Sequence, residues 1–405
     1  MKLFKIGWRA MFKEDFPLLN SQVCYLDSAA SAQKPESVLR CMDQFYRMTY
    51  ANVHRGQCTI AVRATDLYEQ SRHTIADFIH TGPKNIIFTK GTTESINLVA
   101  SGYREILKPG DEVLVSMAEH HADFVPWQQV CRRTGATFKV FNVLPDGQLD
   151  LNDFRLKLSP KTKLVAVTQL SNVLGIVNPV RKMADLSHQF GARILVDGAQ
   201  GIAHLPVDVT ELDCDYYAFS GHKLYGPTGI GVLYGKTEAL EQLPPYQFGG
   251  DMIKTVSVEE TEMADIPARF EAGTTPFVEA VGLAEAVRYI SHIGMHSVCE
   301  HERKLTDLLL DELHKIPNME ILGDCSEKQG LVSFNIKGIH PADLAFILSK
   351  EHICVRVGHH CAMPIHHFFN RDVSLRVSFG LYNDQVDIDI LMKSLKKALS
   401  LLGEG

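Results

Sequence analysis

Short apolar runs alternate with helical patterns between about Val23 and Gly235, and this alternation constrains the fold more than any other feature of the sequence. Strands that alternate with helices form βαβ units, in which a crossover helix joins two parallel strands. The apolar runs, such as ILV at 194–196, are continuous rather than alternating, which indicates a sheet covered on both faces. The pattern therefore predicts an α/β fold, with a large domain built on a mostly parallel central sheet.

The predicted strands of this region are rich in β-branched residues and end at polar loops; they are 85–89, 111–116, 138–143, 163–171, 192–200, 215–221 and 229–235. Helices are predicted from Thr92 to Leu107, around Trp127, and from Pro179 to Phe190. This order of elements is the one expected for a series of βαβ units.

After about Asp265 the rhythm changes to long helical patterns, which predict a second architecture. The predicted elements are helices at 277–294, 297–315, 341–351 and from about Asp384, with strands at 331–336, 353–358 and 374–380. A chain of 405 residues also exceeds the roughly 250–300 residues at which a single core stops growing. We therefore predict a large cofactor-binding domain at 22–265, and a smaller α+β domain formed by 1–21 together with 266–405.

Composition and charge exclude several classes of partner. The formal net charge of −7 offers no basic stripe, so we expect no nucleic acid as a partner, and no apolar run approaches the ~18 residues of a membrane span. Nine cysteines without a CxxC pair favour a reducing cytoplasm. The start, MKLFKIGWRAMFKEDFPLL, lacks the apolar segment of a leader and reaches acids at Glu14 and Asp15, so we predict an N-terminal amphipathic helix instead.

Polar residues follow the predicted strands directly, at the edge where an open α/β sheet binds its ligands. Gly91, Thr92 and Thr93 open a helix, and their amides and hydroxyls suit a phosphate, although an ordinary helix cap has the same residues. Asp197 ends a buried strand, and a carboxylate there requires a cation or several donors. Gln200 lies three positions later.

A lysine in the stretch SGHKLYGPTG completes this set of residues. Lys223 follows an apolar strand and precedes a glycine-rich turn, with Ser220 and His222 beside it; a solvated loop lysine is the alternative. A phosphate cup, a carboxylate for a pyridinium nitrogen and a lysine for a Schiff base are the parts that bind pyridoxal 5′-phosphate (PLP). His120, in AEHH, then offers a ring to stack on the cofactor and an acid–base group.

Several motifs, in order along the chain, resemble those of the class V aminotransferase-like family of fold-type I PLP enzymes, and more narrowly the cysteine desulfurases of the SUF branch. The motifs are YLDSAASAQKP, NVHRG, GTTESINLVA, EHHADFVPW, SNVLG, VDGAQ, FSGHKLYGPTGIGVLYG, FEAGT and RVGHHCAMP. The resemblance covers almost the whole chain, from residue 25 to 382. It implies the fold of PLP-dependent transferases of type I.

The resemblance also implies how the cofactor is held. Lys223 would carry it as a Schiff base, Asp197 would pair with the pyridine nitrogen, and His120 would stack on the ring. Gln200 would lie near the phenolic oxygen. The residues implied for the phosphate are Thr93, Ser220 and His222, with Thr92 close by and Thr274 arriving from the partner subunit.

For the substrate, the resemblance implies that Asn172 and Arg376 orient an amino acid, with Arg376 binding its carboxylate through two parallel hydrogen bonds. We place Arg356 on the substrate side of the pocket as well. Active sites of the family lie at a dimer interface, so a homodimer is implied. Two positions depart from the family pattern: Asp123 stands where Asn is common, and GTTP leaves Thr274 and Thr275 competing for the phosphate.

Cys361 lies in VRVGHHCAMPIHHFF, where four histidines invite a metal site. His359, His360 and Cys361 are consecutive and cannot all face one centre in an extended segment, so we expect no metal. A buried inert cysteine is the other alternative, but the histidines and Arg356 offer positive charge that would favour the reactive thiolate.

The resemblance implies a PLP-dependent cysteine desulfurase that converts L-cysteine to L-alanine and leaves a persulfide on Cys361. Because the cysteine follows its strand after only a few residues, we expect an acceptor protein of the SUF system to come to the pocket, for iron–sulfur cluster assembly. Selenocysteine lyase activity on L-selenocysteine, as a side activity or as the main one, stays an alternative. A PLP-fold scaffold without activity is a second alternative, and a true aminotransferase would give Cys361 no role.

Overall fold

The computed structural model describes residues 12–21 and 23–403. Its central sheet has seven strands, in the spatial order Ile86–Thr89, Gly231–Gly235, Tyr216–Ser220, Arg193–Asp197, Thr162–Thr168, Glu112–Ser116 and Thr137–Phe141. Gly231–Gly235 is antiparallel to both of its neighbours, whereas the strands from Tyr216–Ser220 to Thr137–Phe141 pair in parallel. The predicted α/β fold with a mostly parallel central sheet is confirmed.

Both faces of this sheet are buried, as the continuous apolar runs predicted. Along Thr162–Thr168, Val165 and Val167 belong to one apolar core while Leu164 and Ala166 belong to another, because successive side chains of a strand point to opposite faces. The helices of this part are Glu36–Met48, Thr59–Phe78, Thr92–Ile106, Val125–Thr134, Leu151–Lys157, Val180–Gln189, Gly201–His204, Val209–Leu212 and Thr237–Glu241.

The C-terminal part has a four-stranded antiparallel sheet in the order Met319–Ile321, Leu331–Ile336, Ser374–Ser378 and Arg356–Gly358. Its helices are Met295–Leu313, Pro341–Lys350, Met363–Phe368 and Gln385–Leu402. Cys24–Tyr25 pairs in parallel with Ile353–Cys354, which ties the chain start to this part. The long helix Phe277–Ile293 packs instead on Thr59–Phe78 and Glu36–Met48. The division into 22–265 and 1–21 with 266–405 stays a prediction.

Several elements differ from the sequence predictions or fall outside them. The helices Glu36–Met48 and Thr59–Phe78 and the hairpin of Ile253–Val256 with Thr261–Met263 were not predicted. Most of the predicted N-terminal amphipathic helix falls on residues 1–11, outside the described residues, and the following Lys13–Asp15 and Pro17–Asn20 are short 3-10 helices.

Within residues 12–21 and 23–403, no helix combines the length and apolarity needed to cross a bilayer.

Candidate active site

The loops after the parallel strands converge on a cavity of about 210 Å³. Almost every site residue predicted from the sequence lines it; these are Thr92, Thr93, His120, Asn172, Asp197, Gln200, Ser220, His222, Lys223, Arg356, Cys361 and Arg376. The convergence follows from topology, because parallel strands place their carboxyl ends at one edge of the sheet. Thr274 does not line the cavity: it is exposed, in the turn before the helix Phe277–Ile293.

Lys223 and Asp197 set the electrostatics of the cavity floor. The Lys223 amine is reachable from the cavity, yet protein atoms surround it closely enough that burial lowers its pKa to about 8, against the opposing effect of Asp197. Burial raises the pKa of Asp197, and the Lys223 charge opposes that rise. The Ala199 amide donates to Asp197 Oδ1 at 2.9 Å, which fixes the carboxylate at the end of its strand.

The N-terminus of the helix Thr92–Ile106 forms a small polar cup with the end of the strand Tyr216–Ser220. The Thr92 amide donates to Ser220 Oγ at 2.8 Å, and the two hydroxyls are 2.7 Å apart. The approach requires glycine, because a Cβ at Gly231 would lie 2.4 Å from the Gly91 Cα. The first N–H groups of a helix lack intrahelical partners and favour anions, so this cup suits a phosphate.

Three buried polar atoms of residues that line the cavity have no hydrogen-bond partner among the described residues, namely Gln200 Oε1, His360 Nδ1 and Arg376 Nε, and two of them belong to predicted site residues. Gln200 Nε2 is already committed to the Ala29 carbonyl at 2.8 Å, so its oxygen is left for a donor. Arg376 donates to the Asn172 carbonyl at 2.9 Å and to Asp27 Oδ1 at 3.2 Å, and keeps Nε for an acceptor. Because unpaired buried polar groups are costly, both atoms indicate that a polar ligand completes the site.

His120 is a neutral ring on a turn above the strand Glu112–Ser116. Its Nδ1 accepts from the Ala122 amide at 3.0 Å, so the neutral ring carries its proton on Nε2. Burial, followed by the charge of Lys223, lowers the pKa of His120 to about 3. A neutral imidazole beside the cavity suits stacking on an aromatic ring.

Backbone hydrogen bonds pin the loop that carries Cys361 on several sides. The His121 amide donates to the Cys361 carbonyl at 2.6 Å, and Asn172 Nδ2 donates to the His360 carbonyl at 2.6 Å. His360 and Cys361 both have positive φ, 49° and 56°, which is uncommon for residues other than glycine. The half-buried Cys361 lines the cavity and acts electrostatically on Lys223.

His121, His359 and Cys361 form a cluster in which the potential ligand atoms all lie within 4.8 Å of one another. His360 lies outside this cluster and approaches Ser374 Oγ at 3.1 Å instead, so His359 and Cys361 face one centre but the three consecutive residues do not all face it. His359 Nδ1 accepts from the Cys361 amide and His121 Nε2 from the Met363 amide, both at 3.1 Å. Each neutral ring therefore keeps its proton on the second nitrogen, which favours donation over metal ligation. The absence of a metal site stays a prediction.

Asp27, for which no role was predicted from the sequence, forms an ion pair with Arg376. Burial raises the pKa of Asp27, and Arg376 opposes that rise. The signal was available in YLDSAAS, where an acid precedes a run of small residues, but its partner lies 349 positions away.

Comparisons with known proteins extend over nearly all of the chain. The family model Aminotransferase class-V matches residues 24–391. A cysteine desulfurase of Escherichia coli strain SE11 is 44% identical over 399 residues, which are 96% of this chain and 98% of that protein. The crystal structure of the Escherichia coli cysteine desulfurase CsdA superposes with a TM-score of 0.92 at 39% identity, over 97% of this chain and 98% of that one. An apo cysteine desulfurase of Thermococcus onnurineus gives a TM-score of 0.93 at 38% identity, over 96% and 97%.

Proposed function

This chain belongs to the class-V aminotransferase family, and we propose that it is a PLP-dependent cysteine desulfurase that converts L-cysteine to L-alanine and carries the sulfur as a persulfide on Cys361. One observation carries the proposal: a single cavity brings together Lys223, Asp197, Arg376 and Cys361. A plain transaminase would need the first three residues but would have no use for a cysteine at the cavity wall.

The residues of the cavity fit PLP. The cup of Thr92, Thr93, Ser220 and His222 would hold the phosphate, and Asp197 would pair with the pyridine nitrogen. The unpaired Gln200 Oε1 would accept a hydrogen bond from the cofactor's phenolic hydroxyl. Bound PLP supplies an electron sink that labilises the bonds to the substrate's Cα and to its sulfur.

Lys223 is the proposed acid–base group at the substrate's α-carbon. With its pKa lowered to about 8, an appreciable share of the amine is unprotonated near neutral pH, so Nζ can accept the α-proton and later return a proton. Asp197 raises that pKa, so the pair keeps the amine near the working pH instead of leaving it fully neutral.

Arg376, Asn172 and Arg356 form the proposed substrate side of the cavity. Arg376 is buried and anchored by Asp27, and its unpaired Nε gives one of the two donors that a carboxylate needs. Arg356 is exposed and lines the same wall. A substrate whose carboxylate binds both arginines would have its side-chain sulfur on the side away from them.

Cys361 is the proposed nucleophile. Its thiolate attacks the substrate sulfur, an S–S bond forms while the C–S bond breaks, and the electron pair of the C–S bond remains on the substrate carbon, which is then protonated. The products are alanine and Cys361 persulfide, with no external oxidant or reductant. His120 Nε2 is the proposed site that exchanges the thiol proton.

The persulfide is proposed to leave on an acceptor protein of the SUF system, toward iron–sulfur cluster assembly. The support is the resemblance to the SUF branch, together with the pinned loop: bonds from His121 and Asn172 hold both sides of Cys361, so the cysteine cannot travel far. A wider groove that also includes Cys361 runs between the helices Thr92–Ile106 and Val125–Thr134, and is the proposed approach.

A homodimer is proposed to complete the site. Thr274 is exposed and outside its own cavity, and neighbouring apolar side chains are exposed as well, namely Met48, Tyr50 and Phe248. Thr274 or Thr275 would reach the phosphate of the partner subunit. The nine cysteines are all free thiols, which supports a reducing, cytoplasmic setting.

Selenocysteine lyase activity is the second candidate, since the same cavity would accept L-selenocysteine. The deciding experiment measures alanine from L-cysteine and from L-selenocysteine, with dithiothreitol, for the parent and Cys361→Ala. Alanine from cysteine that depends on Cys361 supports the desulfurase. Alanine from selenocysteine alone would favour the lyase, and none from either substrate would favour a scaffold without activity. Equal rates with and without a SUF-type acceptor would refute the acceptor step.

A further inference from the structure

Two carboxyl groups, those of Glu119 and Asp123, meet behind the wall of the proposed active site, next to the lining residues His120 and Ala122. Both residues are completely buried, and their side chains lie close enough to act on each other's ionisation. Neither forms an ion pair with any residue of 12–21 or 23–403. Two adjacent carboxylates cannot both be ionised at such a site without a cation, because each desolvates and repels the other.

The remaining contacts show how the proton is shared. Glu119 Oε1 accepts from the Thr168 amide at 2.9 Å and from the Ser116 hydroxyl, whereas Asp123 Oδ1 has one donor within the described part of the chain, Trp127 Nε1 at 2.8 Å. The other oxygen of each residue, Glu119 Oε2 and Asp123 Oδ2, is buried and has no assigned hydrogen-bond donor among the described residues. Glu119 thus receives more hydrogen bonds that stabilise a carboxylate, and Asp123 is the more favourable site for a proton.

We propose that Asp123 is a neutral carboxylic acid in the folded protein, that its Oδ2–H donates to Glu119 Oε2, and that this bond is a positioning element for His120. Burial and the Glu119 charge both raise the pKa of Asp123 well above its usual range, in agreement with the hydrogen-bond pattern. Burial also raises the pKa of Glu119, and the Ser116 hydroxyl and the Thr168 amide oppose that rise.

The position of the pair explains its effect on the site. Glu119 and Asp123 lie on either side of His120 in the sequence, and the Asp123 amide donates to the His120 carbonyl at 2.8 Å. The proposed hydrogen bond between the two carboxyl groups would close this five-residue turn. The next residue, His121, holds the Cys361 carbonyl. Asp197 is the charged group that acts on both carboxyls, and Lys223 in turn acts on Asp197 and on His120.

Ionisation of Asp123 would therefore add a second negative charge to the turn and break the bond that closes it. The effect on catalysis rests on the proposed desulfurase function, whereas the protonation state of Asp123 does not. The protonation state and the effect on catalysis are therefore tested by different measurements.

The first measurement is infrared spectroscopy of the PLP-loaded protein near pH 7, in the carbonyl region of protonated carboxylic acids. The parent should show a band that Asp123→Asn removes. The control Asp387→Asn, which changes a buried carboxylate bonded by Asn383 Nδ2 and the Asp384 amide, should leave that band in place. Identical spectra for the parent and Asp123→Asn would overturn the proposal.

The second measurement compares Asp123→Leu with Asp123→Asn, whose amide can donate to Glu119 and accept from Trp127. Asp123→Leu should lower kcat by roughly 10–100-fold through misplacement of His120, and Asp123→Asn should restore it. Equal losses in both variants would overturn the positioning role. A parent without desulfurase activity would refute the proposed function and leave the infrared result valid.

Discussion

The backbone amide of His121 donates a 2.6 Å hydrogen bond to the carbonyl oxygen of Cys361. This bond joins the turn that carries His120 to the loop that carries the proposed nucleophile, two segments about 240 positions apart in the sequence. The proposed stacking residue and the proposed nucleophile are therefore held as one unit, and a displacement of either segment should move both.

Replacement of Cys361 by Ala should abolish alanine formation from L-cysteine, by about 10³-fold or more, because removal of a nucleophile removes the path and not only a contact. Cofactor absorbance should be unchanged. Cys299→Ala is the matched control, because Cys299 is a partly buried free thiol on the helix Met295–Leu313 and does not line the cavity. Equal rates of alanine formation by the parent and by Cys361→Ala would show that this cysteine has no catalytic role.

Replacement of Lys223 by Ala should remove both the visible absorbance of bound PLP and the activity, while the protein stays folded. Lys328 offers a stringent control, since burial lowers its pKa to about 8 as well, but its Nζ donates to the Leu174 and Leu322 carbonyls. Lys328→Ala should lose about 1–3 kcal/mol of stability for the unsatisfied carbonyls and keep the absorbance. Absorbance that survives in Lys223→Ala would contradict the assignment of the Schiff-base lysine.

The stability of cofactor-free protein should depend on Lys223 in an alkaline window. Its folded-state pKa of about 8 lies below the unfolded value of about 10.4. Below about pH 8 both states bind the proton, so the burial penalty is constant; between about pH 8 and 10.4 only the unfolded state binds it, so the free energy of unfolding rises with pH. The rise contributes at most about 1.4 kcal/mol per pH unit. Urea unfolding should show it in the parent but not in Lys223→Met; parallel curves would refute the depressed pKa.

Replacement of Arg376 by Lys should raise KM for L-cysteine and lower kcat/KM by about 10–100-fold, because an ammonium group cannot supply the two parallel donors. Spectral titration with L-cysteine gives the affinity separately from turnover. Arg371→Lys is the control, since Arg371 pairs with Glu320 outside the cavity and should behave like the parent. An unchanged KM in Arg376→Lys would exclude Arg376 as the carboxylate anchor.

The elements that the sequence predicted correctly are those whose residues carry their own pattern. The central strands were predicted because both faces are buried, so their apolar runs are continuous, as in Thr162–Thr168. The hairpin of Ile253–Val256 with Thr261–Met263 was missed because its residues are largely exposed and polar, with no apolar alternation to reveal a strand.

By itself the sequence determined the fold class and the types of residue at the ends of the strands, since the carboxyl edge of a parallel sheet gathers Asp197, Lys223 and the Thr92 cup wherever the strands occur in order. Only the tertiary structure decided which residues interact: Arg376 with Asp27, His121 with Cys361, and Glu119 with Asp123. The reason is physical. Strand and helix patterns are local, whereas a buried charge is satisfied by whichever donor or acceptor the packed chain brings within about 3 Å, and no spacing in the sequence specifies that partner.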